Sequence, residues 1–432
     1  MEDKLKEPIY REISSLNIHE DIMMGCFKSL LRKFGKRDKE MSKWLQIQAN
    51  RSNKNKIVNN LLCTLKTHKE VPSVRLIHSG VGHPWRATMG VIQKLLREKL
   101  STLEHLCFST DDLLTKLGKI RTVSGDRLAR LDIRDFYLMG EHKDLADDCF
   151  DDDLEARELL EFMLSCQFVS SGLLDDRTFE VRTGTGIGQK ASGEIADWSF
   201  YKRVERNFVL NPATMTKYCI KGWLRYRDDI LVVIGECWWA WMFFLRALRE
   251  VAGPTYVLEQ EGKPSNIQNM LDVTIMLQSD NSWAWKPYFK KTAQKNALVN
   301  PSGHPKSVLQ SWPPAEIHRL RRRSSNQVYF EHAKQQMLQM YRQQNMDDYT
   351  LQKAESVCYH HQPQNRDHGS ILKKFWWVLP FHPVLEHASL TSCARKVVQN
   401  WQTTIQPFLG VIDINVSWKS AGNHLAHRVQ RW

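Results

Sequence analysis

The chain has 432 residues, 42% of them hydrophobic, enough to bury a large core and to divide into two to four globular units, which excludes a disordered tail or a miniprotein. Its 61 lysines and arginines against 48 acids leave a net charge of +13, the balance of a protein whose partner is a polyanion, nucleic acid first among them. Nine cysteines stand singly with no CxxC pair, which predicts a reduced, intracellular compartment. No run reaches the roughly 18 apolar residues of a membrane span, and the polar start MEDKLKEPIYREISS has no apolar signal-peptide core.

Residues 1–60 read as a basic helical extension, with Ile13, Leu16, Ile18, Ile22, Phe27, Leu30, Leu31 and Phe34 at near-helical spacing. From 61 to 84, threonine, valine and isoleucine mix with Pro72, Gly80 and Gly82, predicting strands and turns. Val91, Leu95, Leu96 and Leu100 predict a helix over about 90–103 with a basic exposed face. Around Leu131 the period changes to two: Ala129, Leu131 and Ile133 face one way, Arg130, Asp132 and Arg134 the other, the pattern of a half-buried strand. An acidic loop at 147–153 precedes a helix at about 154–166. Leu224-Arg225-Tyr226-Arg227, then Asp228-Asp229, then Ile230 to Ile234 predict a hairpin with both acids at its tip. The aromatic run from Trp238 to Leu245 reads as a buried helix. Beyond about 290 the chain is expected to be helical, basic and glutamine-rich, broken at Pro301, Pro305, Pro313 and Pro314.

Adjacent aspartates cannot both enter a core unpaired, so they face water or a cation. A lone pair at a hairpin tip is ordinarily a turn. Here it has company: Asp132 ends a separate strand, and the three carboxylates form an all-oxygen set suited to magnesium. Two such ions about 4 Å apart would serve in-line phosphoryl displacement.

These blocks resemble, in order, the motifs of reverse transcriptases, most closely the Penelope-like retroelement branch, over roughly residues 60 to 385. Asp132-Ile133-Arg134-Asp135-Phe136-Tyr137 is similar to the first palm block. The resemblance implies that Asp132 binds metal, Asp135 lies near the incoming triphosphate, and Tyr137 is the gate against a ribose 2′-hydroxyl. The block from Gly184-Thr185-Gly186-Ile187-Gly188 through Gln189-Lys190-Ala191-Ser192-Gly193 is similar to the glycine-serine segment that supports template and nucleotide, with Gly188 and Ser192 at the substrate. Tyr226-Arg227-Asp228-Asp229, preceded by Arg225, resembles the third block, which implies metal binding by Asp228 and Asp229 and nucleic-acid contact by Arg225 and Tyr226. Lys66-Thr67-His68-Lys69 and Arg75 look like the fingers cations that grip the triphosphate.

Downstream, Leu271-Asp272-Val273 resembles the primer-gripping strand. The stretch from Lys286-Pro287 through Ser302-Gly303-His304-Pro305 to Arg319, Arg321 and Arg322, and then Leu379-Pro380-Phe381-His382-Pro383, are similar to late Penelope-like signatures, the arginines implying a grip on duplex backbone. Lys263 is the candidate general acid. The pattern is departed from at Gly193, where proline is usual, at Ile187, which replaces a glutamine or methionine, and at Arg227, where a small or apolar residue is usual.

The implied fold is an α+β right-hand polymerase: fingers at 61–130, a palm with an antiparallel sheet at 131–278, and a helical thumb with the C-terminal region at 279–432. The implied activity is RNA-directed DNA polymerisation. It would use two magnesium ions or manganese in their place, an RNA template, a DNA primer or duplex and deoxynucleoside triphosphates, in the nucleus and with no membrane. A decayed or domesticated remnant that binds RNA or DNA without polymerising is the alternative, a telomerase-like role a narrower one. A nucleotide cyclase would lack the basic fingers and thumb. Cys358, His360 and His361 have no second ligand pair at finger spacing, so a loop is expected there rather than zinc.

Overall fold

The strand expected around Leu131 forms because its apolar residues alternate with charged ones. Leu128, Ala129, Leu131 and Ile133 are buried, while Arg127, Arg130 and Asp132 remain half-exposed. The structure, a computed structural model, describes residues 2–14, 18–36, 38–51, 57–66, 73–175, 177–289, 306–359, 373–381, 392–393, 396–397 and 412–420. Lys69, the 302–305 segment, His360, His361, His382 and Pro383 lie outside these, and of Lys66 only the backbone is described. Two compact units divide the chain, Met1–Ala293 and Gln294–Trp432.

In the first unit the strands are β1 (Tyr10–Ile13), β2 (Val58–Lys66), β3 (Ser73–Ser79), β4 (Arg127–Ile133), β5 (Phe168–Ser170), β6 (Thr178–Val181), β7 (Ile220–Tyr226), β8 (Asp229–Ile234), β9 (Leu258–Gln260), β10 (Ile267–Met270), β11 (Val273–Leu277) and β12 (Trp283–Pro287). They form a five-stranded sheet in the order β1-β6-β5-β2-β3, a four-stranded sheet β7-β8-β4-β9 and a three-stranded sheet β10-β11-β12. Every pair is antiparallel except β2 with β5. With helices packed around these sheets, the fold is of the expected α+β class.

The N-terminal stretch is not wholly helical. Tyr10–Ile13 adds to β6 as an edge strand, and helices Glu20–Phe34 and Lys39–Arg51 bury Phe27, Leu31, Leu45 and Ala49 against Trp85, Met89, Ile92 and Leu96. The helix expected near 90–103 spans Arg86–Leu100, and the one near 154–166 spans Leu154–Ser165, started by Asp153, whose Oδ1 accepts from the Ala156 N–H at 3.1 Å. Part of the expected acidic loop is helical instead, since helix His142–Cys149 runs into it. Helix Trp241–Ala252 is amphipathic rather than buried all round: Trp241, Phe244 and Leu245 enter the core, while Trp239, just before it, and Met242 and Phe243 are more than 60% exposed.

The second unit contains helices Lys306–Arg322, Gln327–Gln343 and Asp348–Glu355, around buried Ile317, Leu320, Phe330, Met337, Leu338 and Tyr341. The first of these runs through Pro313 and Pro314, where breaks were expected, at the loss of two backbone donors. Strands Lys373–Phe381 and Ile412–Ser420 pair in parallel.

Candidate active site on the four-stranded sheet

Strand β4 runs antiparallel to β8 with Asp132 directly opposite Asp229, and the Ile133 N–H donates to the Asp228 carbonyl at 3.0 Å. Tyr226 faces Asp229 across the β7-β8 hairpin, so Arg227 and Asp228 make its two-residue turn, Arg227 taking a left-handed φ of +57°. All three expected aspartates are therefore brought to one end of the sheet. Burial, and then repulsion from Asp228, Asp229 and Glu261, pushes the Asp132 carboxyl up to about 6 against the pull of Arg130. Asp228 is likewise raised, by burial first and Asp229 next, with Arg75 opposing. Arg130 bridges Asp229 Oδ1 at 2.6 Å and Glu261 Oε2 at 2.8 Å.

This donor set suits a hard divalent cation: oxygen ligands only, partly desolvated, carrying more negative charge than the neighbouring cations neutralise. Among the described residues no group of three His, Cys, Asp or Glu side chains is arranged to hold a metal ion, and Asp229 is drawn to Arg130. The oxygen donors at this end of the sheet are Asp132 and Asp228, with the oxygen of Asp229 that Arg130 leaves.

Near the hairpin tip, Tyr137 is half-buried. Burial pushes its hydroxyl up to about 12, with Arg227 opposing and Asp228 adding, so it shares the field of the hairpin tip. Its carbonyl accepts from the Thr185 and Gly186 N–H groups at 2.7 and 3.2 Å, which ties the glycine block to it. Glycine is demanded at 186: at φ +68° a Cβ would stand 2.2 Å from His78 Nδ1. Gly188 (φ +109°) is exposed beside the same strand. Asp135, also left-handed, takes an ion pair from Lys4 at 3.5 Å. Arg75 is exposed on β3, within electrostatic reach of Asp228.

Several of the expected contact residues are buried or paired within the protein. Ser192 is buried, and its hydroxyl is directed at the carbonyls of Gly186 (2.6 Å) and Thr185 (3.2 Å), closing the loop. Arg225 is 0% exposed. Its guanidinium donates to both oxygens of Glu205 (2.7 and 2.9 Å) and to Asp197 Oδ1 (2.6 Å), with the Phe200 ring 5.0 Å away. Tyr226 is half-buried against the cluster of Leu224 and Leu231. In the second unit Arg321 is buried as well, Arg319 is paired with Glu316, and Arg322 is exposed. Lys263 is exposed in the turn between β9 and β10, and its ammonium forms no ion pair among the described residues.

Sequence reasoning missed Asp197, Glu205, Glu194, Lys4 and the role of Arg130. Only Arg130 carried a signal, since it shares the polar face of its strand with Asp132. Glu205 lies in a π-helix, Tyr201–Val209, and also accepts from Trp223 Nε1 (2.7 Å) and contacts His105 Nε2 (2.9 Å).

No family model and no curated protein matches the sequence. Among solved structures the chain is similar to telomerase from Candida albicans in complex with a TWJ fragment of telomeric RNA, with 11% identity, 78% of this chain and 61% of that chain covered, and a TM-score of 0.48. It is similar also to apo telomerase from Candida tropicalis (10%, 80% and 65%, 0.42) and to the BmCPV RNA-dependent RNA polymerase at quiescent state (9%, 74% and 29%, 0.47). The chain thus spans less than two thirds of each of these proteins.

Proposed function

We propose that the chain is a template-directed nucleic-acid polymerase of the reverse-transcriptase type, from a Penelope-like retroelement, that joins a deoxynucleotide to a primer 3′-hydroxyl. One observation carries this reading: Asp132 stands across from the Asp228-Asp229 tip on neighbouring antiparallel strands, with the Asp132 and Asp228 carboxyls raised by burial and by repulsion from neighbouring carboxylates, Asp229 acting on both. The four-stranded sheet serves as the palm, the five-stranded sheet with Arg75 as fingers, and the helices from Lys306 onward as the thumb.

Asp132, Asp228 and the remaining oxygen of Asp229 would hold magnesium or manganese, which when bound lowers the pKa of the attacking hydroxyl and offsets charge on the phosphate. Arg75, with Lys66 and Lys69, orients the triphosphate and neutralises the departing pyrophosphate. Tyr137 screens the sugar, its backbone fixed by Thr185 and Gly186. Exposed Arg322 contacts duplex backbone without reading sequence. RNA serves as template, DNA as primer, and the nucleus as the compartment.

A remnant that binds nucleic acid without polymerising is favoured by one feature, the Arg130 grip on Asp229. Primer extension on RNA and DNA templates with magnesium or manganese separates the two: wild-type protein is expected to extend, and a failure on every template and metal would leave only binding.

A further inference from the structure

The two departures beside the aspartates, Gly193 and Arg227, meet in space. Arg227 turns its guanidinium away from the hairpin tip, Nη1 donating to Asp197 Oδ2 and Nη2 to Glu194 Oε1 at 3.0 Å. Both acceptors belong to helix Ser192–Phe200, their side chains only 6% and 5% exposed. Gly193 lies in the first turn of that helix, under the guanidinium. A Cβ there would stand 2.5 Å from Arg227 Nη1 and 2.6 Å from Cζ. A free arginine would swing aside, but two buried carboxylates hold this one. A side chain at 193 and an arginine at 227 therefore exclude each other.

The backbone of the turn is held by the same group. Asp197 Oδ1 accepts from Arg225 Nη1, which also donates to the Arg227 carbonyl at 3.1 Å. One buried carboxylate thus binds the turn by its side chain directly and by its backbone through Arg225. Asp228 is the next residue, and its own carbonyl is fixed by Ile133.

We infer that Arg227 is a positioning residue: it clips the turn bearing Asp228 to helix Ser192–Phe200 and so sets where the Asp228 carboxylate stands, and Gly193 is the residue that makes room for it. This rests on the proposed polymerase reading for the role given to Asp228. The glycine block and the carboxylate hairpin then move as one body, and the two departures are one adaptation rather than two lesions.

The test uses the full chain in four forms: wild type, Gly193→Ala, Arg227→Ala and the double variant. Each is measured by thermal midpoint, by Mn2+ titration followed by electron paramagnetic resonance, and by single-nucleotide extension. Arg227→Ala is expected to weaken Mn2+ binding roughly tenfold, as loss of a ligand-orienting partner does, and to lower kcat with the primer-template KM unchanged. Gly193→Ala is expected to lower the midpoint in the wild-type background and to raise it in the Arg227→Ala background, where alanine's better helix propensity is no longer opposed by a clash. Equal effects of Gly193→Ala in both backgrounds overturn the mutual exclusion, and undiminished Mn2+ affinity in Arg227→Ala overturns the positioning. Wild type that binds Mn2+ and shows the sign reversal yet extends no primer sinks the polymerase reading and leaves the clip standing. Wild type that binds no Mn2+ overturns both.

Discussion

Replacing Arg225 by methionine, of similar length but without charge, isolates the ion-pair network beneath the hairpin. The wild-type guanidinium is fully buried and makes five hydrogen bonds: two to the Glu205 carboxylate, one to that of Asp197, and one each to the carbonyls of Asp197 and Arg227. Its removal leaves Glu205 charged in a closed site with Trp223 and His105 as its remaining partners, while Asp197 keeps Arg227. Breaking a buried pair by deleting one member costs about 3–5 kcal/mol, and these surviving contacts place Arg225→Met near the lower end. For a unit of this size that corresponds to a fall in Tm of roughly 5 °C.

The pH dependence adds a second check. Burial alone would raise the Glu205 carboxyl, but Arg225, then His105, hold it well below its usual range. That stabilisation is complete above the unfolded pKa near 4.5 and is lost as pH falls toward the folded value. Without Arg225 the orphaned carboxyl takes a proton more easily, so the deficit of the variant relative to wild type should shrink from pH 7 to pH 5. Scanning calorimetry at the two pH values measures both effects, and Glu205→Gln on top of Arg225→Met should recover part of the loss. A variant as stable as wild type at pH 7, or a deficit that grows on acidification, would refute the reasoning.

Gly186→Ala should cost about 2 kcal/mol or more, because alanine at φ +68° is strained and its Cβ meets His78 Nδ1. Gly25→Ala, mid-helix with open space around it, should stabilise by about 1 kcal/mol; equal calorimetric shifts in the two would contradict this account. Burial holds the His78, His83 and His142 rings down to about 4. Their folded pKa values lie below the unfolded value of 6.5, so stability is full above 6.5 and falls as pH drops toward 4, by up to about 3 kcal/mol per ring. His78→Gln should flatten a urea-denaturation profile over that window, and an unchanged slope would exclude His78 as a contributor. Tyr137→Ala should admit ribonucleotides in extension reactions, and unaltered sugar discrimination would remove the gate role.

What could be read from sequence was what local period encodes. Alternation around Leu131 placed Asp132 on a half-buried strand, and the hairpin was legible because two apolar runs flank a polar turn. The partners of Arg225 were not legible. Strand β7 is buried at Trp223, Leu224 and Arg225 in succession, so its period is lost, and Asp197 and Glu205 lie 28 and 20 residues away on helices where acids ordinarily face solvent. The glycine-serine block was visible as a motif, but the direction of the Ser192 hydroxyl depends on how the loop folds back. Tyr10–Ile13 was missed because four residues carry too little pattern to distinguish an edge strand from a helix. The exposed side of the 241–252 helix escaped notice because an aromatic run has no polar residues to mark its outer face.

The central claim is that Asp132 and the hairpin aspartates serve nucleotide addition. Its most direct test is single-nucleotide primer extension by wild type and Asp228→Asn side by side, with duplex binding measured on the same samples. Extension by the wild type, its loss in Asp228→Asn and nearly unchanged duplex binding are the predicted results; substantial extension by Asp228→Asn, or none by the wild type on any template, would contradict the claim.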